Sequence, residues 1–462
     1  MHRFAHLLAI GLALSACDAR APADASSQQQ AKQVVSKQSR IGGLVIRLPA
    51  KGGEPATYRL PDLAPVPNLL RGRLPPAERI IGLDPETEFL YVLTPKHEIL
   101  AFDLESGRTD SVASGVVLAT VGPDGTLYGV DDQRRVTTVA RRVRFVWPAA
   151  LGEVPTELFG AGNERLVAVV RQERMRIIAA AATQAPVTRE LGQGGDVAAS
   201  SWGDVLAVAT DSGVVLLDPL GRRNEALVRL PDHPRAVAFS PSGHRVYVAR
   251  RTLPGLAVID RFELEELDGI ALPGPAATIR LDPLGRWLIA RPAAGDSAWI
   301  VDLPVKRLLG TVATSWQGDL PVVAADGSVL VRQGSDVVVY RADSAGALRE
   351  TGQRAGGAAD LWLVTRWRPR WGLATGAGVA ADSAAPGGGE VLYVQVSVSR
   401  NRAWSDEMAQ QLTRAGLTAR VLAPSRPEEG YRVVLGPYPT RAEAEAIGRK
   451  LGRPYWIYQP EP

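Results

Sequence analysis

Seven short apolar runs recur along the middle of the chain, each behind a turn signal and each about 40 residues after the last. The turns are Asp84-Pro85, Pro123-Asp124-Gly125, Gly160-Ala161-Gly162-Asn163, Ser201-Trp202-Gly203-Asp204, Ser240-Pro241-Ser242-Gly243, Asp282-Pro283-Leu284-Gly285 and Ala325-Asp326-Gly327. The runs that follow are FLYVLT, TLYGV, RLVAVV, VLAVAT, RVYVAR, WLIARP and SVLVRQ. In most units a second strand ends on an acidic residue, as at Asp103, Asp218, Asp260 and Asp302. Several short strands per 40-residue unit, with turn residues at fixed offsets, predict the blades of a β-propeller: one blade cannot cover both faces of its sheet, whereas a ring of blades covers all of them. The seven signals predict about seven blades and leave an eighth open, with strand-like segments at 44–48 and 361–367 helping to close the ring. Immunoglobulin-like sandwiches need about 90–100 residues per unit and fit this period poorly.

The pattern changes at both ends. Residues 7–14 (LLAIGLAL) are an apolar run too short to span a bilayer as a helix, and the chain's one cysteine, Cys17, follows closely. Residues 18–40 are polar and rich in Ala, Gln and Ser, as expected of a tether, and residues 372–389 are nearly all small, as expected of a linker. From residue 390 the alternation restarts. Strands are predicted at 391–397, 418–422, 431–435 and 455–459. Trp404, Met408, Gln411, Leu412 and Ala415 recur at helical spacing, and Thr440 with Glu443 forms a capping box that opens a second helix. The β-α-β-β-α-β order predicts a small ferredoxin-like α+β domain. The expected organisation is therefore 1–17 signal, 18–40 tether, 41–371 propeller, 372–389 linker and 390–462 α+β domain.

Composition narrows the function. The net charge of +4 on 462 residues, with only six Lys, argues against a nucleic-acid partner. A single cysteine excludes an internal disulfide and a multi-cysteine zinc site. His97, His233 and His244 form no metal-ligand spacing, and no phosphate-binding loop, nucleophile elbow or dinucleotide fingerprint is present. His233 and His244 fall in polar turns, where solvation is the expected state, and the once-per-blade acids are expected to cap turns. No catalytic residue, metal or cofactor is expected, and the chain is read as a non-enzyme. In 361–371 (LWLVTRWRPRW) a closing edge strand with solvated arginines is expected.

Three resemblances carry the reading further. Leu14-Ser15-Ala16-Cys17 resembles the lipobox of bacterial lipoproteins, which implies cleavage before Cys17, acylation of that residue and anchoring in the inner or outer membrane on the periplasmic side. The stretch 240–260 resembles the YVTN and quinoprotein-like propeller repeats. Residues Tyr393-Val394-Gln395-Val396, Leu412-Thr413-Arg414-Ala415-Gly416 and Tyr431-Arg432-Val433-Val434-Leu435-Gly436-Pro437-Tyr438 resemble a SPOR domain. That resemblance implies binding to peptidoglycan, with a preference for glycan strands stripped of their peptides, and recruitment to the division septum. Ser397-Val398-Ser399 departs from the family, which has a Gly, a small residue and Phe after the first strand. Alternation places Leu392, Val394, Val396, Val433 and Leu435 toward the helices, and Tyr393, Gln395, Ser397, Arg432 and Val434 on the open face. These five are the candidate glycan-binding residues: a ring covers C–H faces, amide and hydroxyl groups meet sugar hydroxyls and N-acetyls, and Arg meets the lactyl carboxylate. In the last strand, alternation alone leaves open whether Trp456 and Tyr458 or Tyr455 and Ile457 face outward. The expected partners are thus peptidoglycan, a membrane through the lipid, and a protein docked on the propeller. The rival expectations are a propeller enzyme targeted to the cell wall and an outer-membrane assembly scaffold.

Overall fold

The structure, a computed structural model, describes residues 43–365, with breaks at 85–86, 141–142, 163, 202, 204 and 220–224, and residues 392–399, 402–414, 417–423, 431–450 and 455–459. Cys17, the tether, the linker and Arg366, Arg368 and Arg370 lie outside them. No helix among the described residues is long and apolar enough to cross a membrane.

Residues 44–365 form eight four-stranded antiparallel sheets among the described residues. Seven are contiguous, at 79–113, 116–146, 157–190, 194–228, 234–270, 276–313 and 322–354. The eighth is assembled from both ends: Ala64–Pro65, Ala56–Arg59, Leu44–Leu48 and Leu361–Thr365 lie side by side. The sequence predicts about seven blades because its turn signals count only contiguous units. The segments expected to close the ring do pair, Leu44 with Thr365 through Leu48 with Leu361, but they build a sheet of their own.

Eight apolar clusters join each sheet to the next. Phe89, Tyr91 and Ile99 of the first pack with Leu127 and Val139 of the second, and so on around to Leu330 and Val339 of the seventh against Val45 and Trp362 of the eighth. The eighth then meets the first through Ile46, Leu48, Leu90 and Phe102, which closes the ring. Because both faces of each sheet are covered, the middle strands are unbroken apolar runs rather than alternating ones. Phe89–Leu93 is buried at every position, whereas the outermost strand Gln184–Glu190 has no buried residue.

Polar groups fix the seam. Arg332, 1% exposed, donates from Nη2 to Asp319 Oδ2 (2.7 Å) and from Nε to the Ala358 carbonyl (2.8 Å). The same Asp319 oxygen accepts from the Trp362 backbone N–H (2.8 Å), and the Trp362 indole donates to the Gly357 carbonyl (2.8 Å). The acidic residues that end strands cap turns as expected at two sites: Asp103 Oδ1 accepts from the N–H groups of Glu105 and Ser106, and Asp260 Oδ1 from those of Phe262 and Glu263. At Gly285 the chain turns with φ +70°, and a Cβ there would lie 2.8 Å from Pro241 Cδ of the preceding sheet, so only glycine fits.

The C-terminal domain has strands Leu392–Ser399, Ala419–Leu422, Tyr431–Tyr438 and Trp456–Tyr458, and helices Arg402–Arg414 and Arg441–Lys450. Across the sheet the order is 419–422, 431–438, 392–399, 456–458, all antiparallel. Thr440 Oγ1 accepts from the Glu443 N–H (3.3 Å), the N-terminal half of the expected capping box. Val394, Val396, Met408, Ala409, Leu412, Val433, Leu435 and Ala444 form one core between sheet and helices, as alternation and helical spacing predict. Among the described residues no helix covers the other face of the sheet.

Candidate functional site

Strand register decides which side chains share that open face. Gln395 pairs with Val434 on one side and Trp456 on the other, and Tyr393 pairs with Tyr458. Arg420 pairs with Val434, and Leu422 with Arg432. Trp456 and Tyr458 therefore lie on the open face, while Ile457 joins the core opposite Val394. This settles what the alternation of a three-residue strand leaves undecided.

The face is organised around cations and rings. Arg432 Nη1 donates to Gln395 Oε1 (3.0 Å), and its guanidinium stands 4.9 Å from the centroid of the Tyr458 ring. Arg420 stands 5.4 Å from the Tyr393 ring and donates from Nη2 to the Gly436 carbonyl (3.0 Å). Trp456 is 68% exposed, the largest apolar surface on the face. Such a surface suits a ligand with a flat apolar face and hydrogen-bonding edges: the indole covers C–H groups, and the Arg–Gln pair presents a planar donor set.

Of the five candidates from sequence, Gln395 and Arg432 are brought together and half-buried. Tyr393, 8% exposed, is buried with Arg420 over its ring, and Val434 is fully buried, so neither offers the free surface expected of it. Ser397 moves. The strand slips register between Gln395 and Ser397, a β-bulge that sets Ser397 opposite the core residue Val433 and hands the Arg432 register to Val398. The bulge falls where the sequence departs from the family motif. Trp456, on one of the two faces that alternation leaves open, joins the site, and Arg420 is an addition that the sequence pattern does not single out.

Residues 388–454 match the family model of the SPOR domain.

The SPOR domain implies peptidoglycan binding, and its open sheet face is the candidate site. No curated protein matches the sequence. The ring is similar to solved β-propeller proteins. One is the dihydro-heme d1 dehydrogenase NirN in complex with DHE, at 15% identity over 70% of this chain and 75% of that one, with a TM-score of 0.52. Another is AztD from Citrobacter koseri, at 12% identity over 70% and 98%, with a TM-score of 0.49. At such identities the likeness to NirN concerns the fold alone.

The propeller histidines separate. His233 is exposed, with Nδ1 2.8 Å from the Asp211 carbonyl. His244, expected to be solvated, is half-buried: its ring meets Phe262 edge-on at 4.9 Å, and Nε2 lies 3.4 Å from Ser397 Oγ of the SPOR domain. Burial pushes its imidazole down to about 4, against the opposing pull of Asp260. Among the described residues no group of three or more His, Cys, Asp or Glu side chains is placed to hold a metal ion.

Proposed function

We propose that this chain is a lipid-anchored cell-envelope protein whose SPOR domain binds peptide-stripped glycan strands and whose propeller is a docking platform for a protein partner, gathered at the division septum. The observation that carries this reading is the SPOR match over 388–454, on a domain whose open sheet face presents Trp456 beside the Gln395–Arg432 pair. The lipobox-like Leu14-Ser15-Ala16-Cys17 behind an apolar run supports the anchor, because acyl chains on Cys17 give stable membrane attachment. In this reading the ring acts by binding and not by catalysis.

Co-sedimentation of the mature chain with purified sacculi tests the wall-binding half. The chain is expected in the pellet, and more of it with amidase-treated sacculi; a folded chain left in the supernatant with both overturns the proposal. Fatty-acid labelling of Cys17→Ser tests the anchor, and label equal to that of the wild type overturns it.

A further inference from the structure

The open face of the SPOR sheet looks onto the propeller. Between them is a cavity of about 700 Å³. Gln395, Arg432, Trp456 and Tyr458 line one side of it; Ser242, His244, Arg245 and Tyr247, from the first turn and second strand of the fifth propeller sheet, line the other. Two contacts beside the cavity hold the sides together. Phe262 of the propeller packs against the SPOR core, and His244 bridges Phe262 and Ser397. Phe262 is itself fixed, since its N–H donates to the Asp260 turn cap (2.8 Å).

The lining has a definite chemistry. Among the described residues that line it, two are arginines and none is Asp or Glu. Tyr247, Trp456 and Tyr458 supply rings, and Ser242, His244 and Gln395 supply neutral hydrogen-bonding groups. With its imidazole held uncharged at neutral pH, His244 leaves the two guanidinium groups as the charges there. The volume lies within the usual range for small-ligand sites, roughly 300–1,000 Å³. An anionic sugar fits this set: C–H faces for the rings, hydroxyls and N-acetyls for the neutral groups, and a carboxylate for arginine.

We infer that the propeller rim is the second side of the glycan-binding cleft, with Arg245 as a carboxylate partner across the cavity from Arg432. The inference rests on the SPOR domain binding glycan. It gives the propeller a share in recognising the strand, and it adds a reason for choosing stripped strands. A stem peptide converts the lactyl carboxylate to an amide, which removes the anion, and its bulk must pass between two facing sides. On an isolated sheet the same branch would project into solvent.

The test measures binding of amidase-released, peptide-free glycan to the mature full-length chain by calorimetry, with melting temperature recorded for each variant. Arg245 is exposed, so Arg245→Ala is expected to melt as wild type does and to bind about tenfold or more weakly, the usual loss for a charged hydrogen-bond partner. Ser242→Trp, also at an exposed position, is expected to fill the cavity and abolish binding. Arg251→Ala, which removes a charge from the same sheet but outside the cavity lining, is expected to bind as wild type. Wild-type affinity in both Arg245→Ala and Ser242→Trp overturns the inference and leaves the SPOR reading intact. Tighter binding in either variant also overturns it, since the rim would then be a plug. No binding by the wild type overturns the SPOR reading itself and the cleft with it.

Discussion

The ring and the SPOR domain use the same four-stranded antiparallel sheet to opposite ends. In the ring each sheet is covered on both faces by its neighbours, so its middle strands are apolar throughout and polar positions are left to the outermost strands. In the SPOR domain two helices cover one face, and the other is left to arginines, an amide and rings. Burial on both sides yields a rigid frame, and burial on one side yields a surface free to take on chemistry. The difference shows in burial: the ring strand Phe89–Leu93 has no exposed position, whereas Trp456 of the SPOR sheet is 68% exposed.

Substitutions on the two kinds of face should break this contrast in order. Val433 is fully buried beneath the SPOR helices, and Val433→Asp sets an unpaired charge there, at a cost on the order of 5 kcal/mol. The expected outcome is rapid hydrogen exchange over the SPOR strands with the ring's protection unchanged. Trp362, 2% exposed in the closing strand, is next: Trp362→Ala is expected to lower the urea stability of the ring by about 3–5 kcal/mol. On the open face the same kind of truncation should spare stability and remove function. Arg432→Ala is expected to melt as wild type and to lose about 1.5–3 kcal/mol of glycan binding. Because Arg432 donates to Gln395, a cycle with Gln395→Ala should be non-additive in the calorimeter. A melted Arg432→Ala would place that residue in the core and undo the comparison.

The smallest effect tests the junction. The folded chain holds the His244 imidazole near 4, below its ordinary 6.5, so the unfolded chain takes up the proton first as pH falls. The contribution is complete above pH 6.5 and is lost progressively toward pH 4, about 2 kcal/mol by pH 5. His244→Gln is expected to flatten that part of the denaturation-versus-pH curve, and an unchanged slope would show that His244 is not held neutral.

Much of this was legible in the residues. The 40-residue turn period gives the propeller, and apolar alternation with a capping box gives the SPOR order, because both are local patterns. What escaped was non-local. The choice between seven and eight sheets stays open in the sequence, because the eighth joins strands some 300 residues apart, which no period can register. Ser397 changes register through a bulge that adds a residue without changing its neighbours in sequence. The outward face of Trp456–Tyr458 depends on which strand it pairs with. Alternation along its own strand says nothing of what covers Tyr393, because the guanidinium over its ring comes from a different strand. His244 reads as a solvated turn residue because Phe262 and Ser397 reach it only in three dimensions.

The closing sheet has a mechanical consequence. Leu44 and Thr365 are directly opposed, so the chain enters and leaves the ring at one point. A pull between the segment that leads to Cys17 and the segment that leads to the SPOR domain therefore loads a single strand pair, and loads it at its end. Force applied there opens the hydrogen bonds one after another, as a zip opens, rather than shearing all of them at once. The seven contiguous sheets carry none of that load until the Leu44–Leu48 and Leu361–Thr365 strands have parted.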